Sequence, residues 1–388
     1  MSKSPDENRI LTDIGGGLTG FGILFSYAFC VSACAGLGIA SAFLCTCVCA
    51  AASLFTKNKI LAPDSFLLLP VLFVIAFGSA EFLPIALLAA AGLYFAVGRA
   101  LKKDFAVPDC VLAGSSLALA FAVTVMMTTL YFGIGASGTT VWGMLKSYRY
   151  LGFHANWRGV FYGTITLFTM ITFPFKFKKL SRYLPAEVFS TAIPFVLNLW
   201  LNPSGETTPI LEVSSLAFFP SAPGAADILP FLNMSAADAG AGIIAALKGA
   251  VCIALLLLAQ NPQQKSDKNA CFASCAAGSP FGVFPARLYD IYHYSFISAL
   301  VTVLFAVAVC FAAPALLARV PVHSLAVVLI VSAWKNVRFK MLGECFRENA
   351  ALKVITVIGI FCAFLFADLF TAFLICMLFA VVMRRLEK

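Results

Sequence analysis

The sequence predicts an all-α polytopic membrane protein of about 14 transmembrane segments, arranged as two halves of seven. Three observations predict it. Of the 388 residues, 61% are hydrophobic and only 12% charged, with a mean hydropathy of +0.94; soluble domains carry roughly 45–50% apolar and about 25% charged residues. The apolar residues gather into runs, many long enough to cross a bilayer. The basic residues gather between the runs, biased toward one side. A spanning helix needs about 20 apolar residues, so the chain holds roughly 10–14 spans and leaves no room at either end for a soluble domain of ordinary size, roughly 50 residues or more.

Taken in order, residues 1–9 form a short polar head, read as a cytoplasmic tail. It contains Asp6 and Glu7, and no A-x-A-like cleavage site follows it, so no removable signal peptide is expected. Apolar runs follow at 10–33, 35–56, 60–77, 80–98, 107–133, 159–175 and 184–201, a first half over 10–201. The acidic stretch Asn202–Asp227 has no lysine or arginine and divides the chain, within an extracytoplasmic loop over 202–235. Runs at 236–260, 269–278, 283–294, 295–317, 321–334, 350–366 and 369–383 make a second half over 236–388. Several runs are too short to cross alone, and glycine clusters and prolines mark many of the joints.

Charge fixes the topology. With the N-terminus cytoplasmic and each run flipping the side, 21 of the 27 basic residues fall in cytoplasmic stretches. Lys146, Arg149, Arg158 and Arg319 fall outside, and Lys248 and Arg287 lie within runs. The even count returns the C-terminus to the cytoplasm, and a plasma (inner) membrane location is expected. The net charge of +9 is then a topology signal and implies no nucleic-acid partner. Halves with an odd number of spans have opposite orientations, which is the arithmetic of an inverted repeat, the plan of many secondary transporters.

The 13 cysteines lie mostly within apolar runs, where they act as small hydrophobes. Cys45, Cys47 and Cys49 stand at i and i+2, on different helix faces, so a metal site there is not expected. His154, His293 and His323 are too scattered in sequence to suggest one. With no nucleophile–base pair and no phosphate-binding loop, the sequence argues against an enzyme and calls for no cofactor.

Two runs are interrupted at corresponding places in the halves. Segment three begins "KNKILAPDSFLLLPVLF", with a short extended-looking Ile60–Leu61 before Pro63, Asp64 and Ser65. Proline suits a first helical turn, and Asp or Ser there caps free amides. Segment ten begins after "AAGSPFG", with Gly278, Pro280 and Gly282 ahead of a helical "VFPARLYDIY". Irregular backbone at membrane depth is tolerated only inside protein or beside a water-filled cavity. Two half-helices converging near the midplane would aim unpaired N–H groups at one point, each start carrying about +0.5 of an elementary charge, and so attract an anion. Pattern alone leaves this level with a plainer reading, that both are ordinary interhelical loops.

The stretch "RVPVHSLAVVLIVSAWKNVRFK", followed by "ENAALKVITVIGIFCAFLFADLFTAFLICMLFAVVMRR", resembles the last three spans of SulP-type inorganic anion transporters. Asp368 and Leu369 match the family's "DL" turn, and Met383–Arg385 its "MRR" exit. The opening "LTDIGGGLTGFGILFSYAFCVSACAGLG" is similar to the family's first span. "VFYGTITLFTMITFPFKFKKLSRYLPAEVFSTAIPFVLNLWL" is similar to its sixth and seventh. The likeness covers essentially the whole chain, loosely. It implies the seven-plus-seven inverted repeat shared with uracil-permease-type carriers. In that fold a core (segments 1–4 and 8–11) faces a gate (segments 5–7 and 12–14), and substrate sits between the starts of helices three and ten. The family's "GPTA" falls on Ala62, Pro63, Asp64 and Ser65, and its "PxTGAIAR" on Pro280 through Arg287, with the glycine displaced to Gly282.

The resemblance implies a carrier that moves a small inorganic or carboxylate anion, of the sulfate, bicarbonate or chloride class, by alternating access. Backbone amides near Ser65–Phe66 and Val283–Phe284 are expected to hold the anion, with Gly278 and Gly282 allowing close approach. Arg287 supplies positive field, and the turn Phe25, Ser26 and Tyr27 faces the pocket. The expected partners are the anion, a coupled proton or sodium ion, the lipid bilayer and a second copy in a homodimer. The chain departs from the family in three ways. Its last helix ends near Lys388, with no C-terminal STAS domain expected. The family's long eighth helix is cut short, so its acidic residue cannot be carried over, and Gln260 reads as the interfacial end of the span rather than a site residue. Asp64 stands where the family has a small neutral residue. Asp64 has three open readings: a protonatable coupling group, a partner for Arg287, or a plain cap facing away. Arg287 either snorkels out or, as an intramembrane arginine, marks function. Two other functions stay open: a nucleobase-type carrier in which Asp64 hydrogen-bonds the substrate, and a degenerate, non-transporting scaffold or sensor.

Overall fold

The computed structural model describes residues 5–56, 59–100, 107–151, 154–178, 180–182, 184–201, 236–259, 265–278, 287–291, 293–312, 317, 319–347 and 351–386. The first half comprises α1 (Pro5–Cys34), α2 (Gly38–Ser53), strand β1 (Lys59–Ala62), a 3-10 turn (Ser65–Leu67), α3 (Leu68–Gly78), α4 (Leu83–Ala100), α5 (Asp109–Phe132), α6 (Val141–Leu151), α7 (Trp157–Lys176) and α8 (Ala186–Leu201). The second comprises α9 (Ala236–Ala259), α10 (Lys265–Gly278), strand β2 (Arg287–Asp290), α11 (Phe296–Ala312), α12 (Val322–Lys335), α13 (Phe339–Arg347), α14 (Ala351–Phe366) and α15 (Leu369–Leu386). Among the described residues, five helices are long and apolar enough to cross a membrane and six more are shorter apolar helices. The protein is an integral membrane protein built of helices. The acidic loop 202–235 lies outside the described residues.

The contacts come in pairs that exchange the two halves. α4 packs on α9 and α10, as α11 packs on α1 and α2. α5 packs on α14 as α12 packs on α7, and α7 on α8 as α14 on α15. α5 meets α12, and β1 meets β2. The short α6 and α13 hold the same place in each half, before α7 and α14. Neither was expected from hydropathy, because neither is apolar enough. Both carry basic and aromatic residues together (Trp142, Lys146 and Arg149; Phe339, Lys340 and Arg347), the composition of helices that lie along a membrane surface.

The glycines of "DIGGGLTG" make a packing face. A Cβ on Gly16 would come within 2.4 Å of the His293 carbonyl oxygen, and one on Gly17 within 2.6 Å of Val301 Cβ. Small residues let helices approach this closely in lipid. The approach allows two interhelical bonds to backbone: Ser298 Oγ donates to the Asp13 carbonyl (2.8 Å) and Thr302 Oγ1 to that of Gly17 (3.0 Å). The contacts advance together from Gly16 beside Ser298 to Phe21 beside Phe305, so α1 and α11 run parallel.

One expectation is overturned. Segment ten, 283–294, was expected to be helical; instead Arg287–Asp290 is the strand β2. It pairs antiparallel with β1, setting Lys59 opposite Asp290, Ile60 opposite Tyr289, Leu61 opposite Leu288 and Ala62 opposite Arg287. The reason is the partner strand. Ile60, Leu61 and Ala62 are fully buried, and an extended backbone at that depth leaves N–H and C=O groups that must be paired. β2 supplies them across the ladder, and Ser53 Oγ accepts from the Leu61 N–H (3.0 Å).

Candidate functional site

The site is built at the start of α3. Asp64 has extended backbone (φ −96°, ψ 151°) and stands as the cap of the 3-10 turn that leads into the helix. Its Oδ1 accepts from the Phe66 N–H (3.4 Å) and from Ser65 Oγ (3.0 Å). A third donor arrives from the end of α12, where Asn336 Nδ2 lies 2.6 Å from the same oxygen. The other oxygen, Oδ2, lies 3.8 Å from the Arg287 guanidinium. Asp64 is 1% exposed. Of the readings left open by sequence, the structure brings Asp64 and Arg287 together and also makes Asp64 the cap.

Arg287 owes its position to β2. Opposite Ala62, its side chain emerges just where β1 ends and the α3 turn begins. Its guanidinium stands 5.4 Å from the centroid of the Tyr289 ring, a cation–π distance. Tyr289 stacks on Tyr27 of α1 at 5.5 Å. Tyr27 Oη donates to Glu187 Oε1 of α8 (3.3 Å), and Lys335 Nζ of α12 donates to the same oxygen (3.2 Å). A continuous chain of polar and aromatic contacts thus runs from α8 and α12 through α1 and β2 to the start of α3.

A cavity of about 200 Å³ opens there, lined by Asp64, Phe66, Ser115, Ser116, Leu256, Arg287 and the sequence Lys335–Arg338. Three cationic side chains, Arg287, Lys335 and Arg338, face it against the Asp64 carboxylate. A second cavity, of about 300 Å³, is apolar and lies between α1, α8, α11 and α12; Phe25 and Ser26 line it, with Phe21 and Phe29.

The structure therefore divides the expected site. Asp64, Phe66 and Arg287 share the charged cavity. Ser65 is buried against Asp64. Phe25 and Ser26 belong to the apolar cavity, and Tyr27 joins the two regions through Tyr289 and Glu187. Gly282, Val283 and Phe284, like Pro280 and Gln260, lie outside the described residues. Between Arg287 and Ser295 the described backbone is strand and irregular, not helix. Among the described residues, Arg338 at the start of α13 also lines the cavity, beside the start of α3. The positive field opposite it comes from side chains.

Sequence reasoning missed Glu187, Lys335, Asn336 and Arg338. Lys335 and Arg338 were absorbed into the cytoplasmic charge count. Glu187 carried a usable signal: it is a carboxylate inside an apolar run, and such residues mark function by default.

No family model matches the chain, and no curated protein matches it. Solved structures do match. The overall structure of SLC26A9 aligns over 99% of this chain and 66% of its own length, with a TM-score of 0.75 and 12% identity. The murine anion transporter Slc26a9 in its inward-facing state aligns over 100% of this chain and 70% of its own, with a TM-score of 0.69 and 13% identity. The transmembrane domain of BicA, a cyanobacterial bicarbonate transporter, aligns over 94% of this chain and 97% of its own, with a TM-score of 0.66 and 16% identity. The fold is theirs. The chain spans about two thirds of the length of SLC26A9 and nearly all of the BicA transmembrane domain. The expected inverted-repeat architecture and this fold agree, and the paired contacts described above are its signature within the chain.

Proposed function

We propose that the chain is a secondary transporter of a small inorganic or carboxylate anion, working by alternating access. The core comprises α1–α4 and α9–α11, and the gate α5–α8 and α12–α15. The two repeats run over 10–201 and 236–388, joined by 202–235, with both termini cytoplasmic in a plasma membrane and two copies forming a dimer. The observation that carries the reading is the charged cavity between core and gate, where Arg287, Lys335 and Arg338 face the start of α3. A helix start and three cations, two of them paired with Asp64 and Glu187, leave one positive charge in excess in a partly enclosed site and so attract an anion, because charge interactions gain strength as water is excluded. The shared fold with the bicarbonate transporter BicA and the anion transporter Slc26a9 supports the same reading.

The anion sits beside the start of α3, where the Phe66 amide already bonds to Asp64 Oδ1, with Arg287 across from it. Gate residues Lys335 and Arg338 close over it, so binding draws core and gate together. The test is uptake of labelled sulfate, bicarbonate, chloride and uracil into liposomes holding the purified chain. Anion uptake is expected, and Arg287→Ala is expected to abolish it. Uptake of uracil alone would sink the anion reading in favour of a nucleobase carrier, and no uptake by folded protein would leave a non-transporting scaffold.

A further inference from the structure

The two oxygens of Asp64 are treated differently. Oδ1 takes three donors, from Asn336, Ser65 and the Phe66 amide. Oδ2 is just as buried, yet among the described residues it has no hydrogen-bond partner. The Arg287 guanidinium at 3.8 Å is within ion-pair range of Oδ2 but beyond hydrogen-bond length. Asp64 also lines the charged cavity. A buried carboxylate oxygen left without a donor is costly, and a proton placed on it turns it into a donor that needs an acceptor. The acceptor this site is built to receive is an anion.

We propose that Asp64 is the proton-coupling residue of an anion–proton symporter. The proposal rests on the anion-carrier reading above. In the empty site the Asp64 carboxylate is a tethered anion, capping the α3 start and pairing with Arg287. On loading, one proton from the solution binds Oδ2 and one anion enters from the same side. The neutral acid then donates its Oδ2–H to the anion, and Arg287 transfers its pairing from Asp64 to the anion. On the other side the anion and proton leave together, and the carboxylate recaptures Arg287. For a monovalent anion such as chloride, site charge is the same in both states, since each holds one negative charge against Arg287. The rocking step therefore carries no added charge through a low-dielectric barrier, where an uncompensated charge is expensive.

The other groups facing Asp64 leave it this role. α12 and its following turn bring Lys335, Asn336 and Arg338; β2 brings Arg287 and Tyr289; α1 brings Tyr27. α5 and α9 line the cavity with Ser115, Ser116 and apolar residues. Lys335 is engaged by Glu187. Among the described residues, Asp64 is the carboxylate that lines this cavity.

The experiment uses the full chain in liposomes loaded with a pH-sensitive dye, with labelled chloride and labelled sulfate as probes. Wild-type uptake is expected to acidify the lumen, and an imposed inward proton gradient is expected to drive label above equilibrium. Asp64→Asn is expected to lose both effects while still exchanging external label for internal anion, more slowly. Asp64→Glu is expected to restore the acidification. Anion uptake by the wild type without proton movement overturns the proposal, as does acidification that persists in Asp64→Asn. Absence of any label exchange by folded wild type instead overturns the anion-carrier reading on which it rests.

Discussion

Asp64 is held by a residue from outside its own layer. Two of its donors are local, but Asn336 comes from the end of α12 and makes the shortest of the three bonds. A hydrogen bond to a charged group contributes roughly 1.5–3 kcal/mol, and removing it leaves a buried carboxylate less satisfied. Asn336→Ala is therefore expected to destabilise the folded chain by about that amount, read as a lowered unfolding temperature in detergent. Because the bond joins the start of α3 to α12, the same variant is also expected to weaken apparent affinity for the transported anion. A stability loss with unchanged affinity would make Asn336 a purely structural brace. The Asp64–Arg287 pair was legible as a juxtaposition, because both residues fall on the two interruptions that break otherwise apolar runs. Asn336 was not. It follows a span as part of a basic loop, and only the return of α12 against the α3 turn gives it meaning.

Most elements were legible for a simple reason. In lipid the backbone must satisfy itself within a helix, so apolar length and punctuation nearly suffice, and among the described residues each expected run other than segment ten contains a helix. Segment ten failed because its structure is set by a partner more than 200 residues away: buried β1 needs a neighbour, and nothing local in "ARLYDIY" records that need. The glycine face of α1 is a second non-local feature. In sequence, Gly16, Gly17 and Gly20 fall inside the first run with no role of their own, whereas the structure uses them to seat α11. Here magnitudes separate two effects. An interhelical hydrogen bond in a membrane averages about 0.6 kcal/mol, whereas overpacking typically costs roughly 1–3 kcal/mol. A Cβ on Gly17 meets Val301 Cβ at 2.6 Å and the Ser298 carbonyl oxygen at 2.8 Å, neither of which can swing away. Gly17→Ala is thus expected to lower the unfolding temperature more than Thr302→Val, which deletes the bond from Thr302 to the Gly17 carbonyl. The reverse order would mean that the α1–α11 contact is looser than its geometry.

For the whole molecule, the question is whether core and gate are two bodies that move. Gly22 bears on this because it faces the gate rather than the core: a Cβ there would come within 2.7 Å of Pro185 Cδ and 3.3 Å of Val188 Cγ2 at the start of α8. A proline ring cannot rotate aside, so Gly22→Ala must part α1 from α8 by several tenths of an ångström. Gly17→Ala makes a similar clash wholly within the core. If the chain works by rocking, the two variants differ even when they cost the same stability. The core variant leaves the moving boundary intact, while the boundary variant changes the balance between arrangements open to either side. Gly22→Ala is expected to slow anion uptake, per folded molecule, well beyond Gly17→Ala at matched unfolding temperatures. Equal slowing in the two variants would count against a moving boundary along α1 and α8 and would favour a substrate path that opens without relative motion of core and gate.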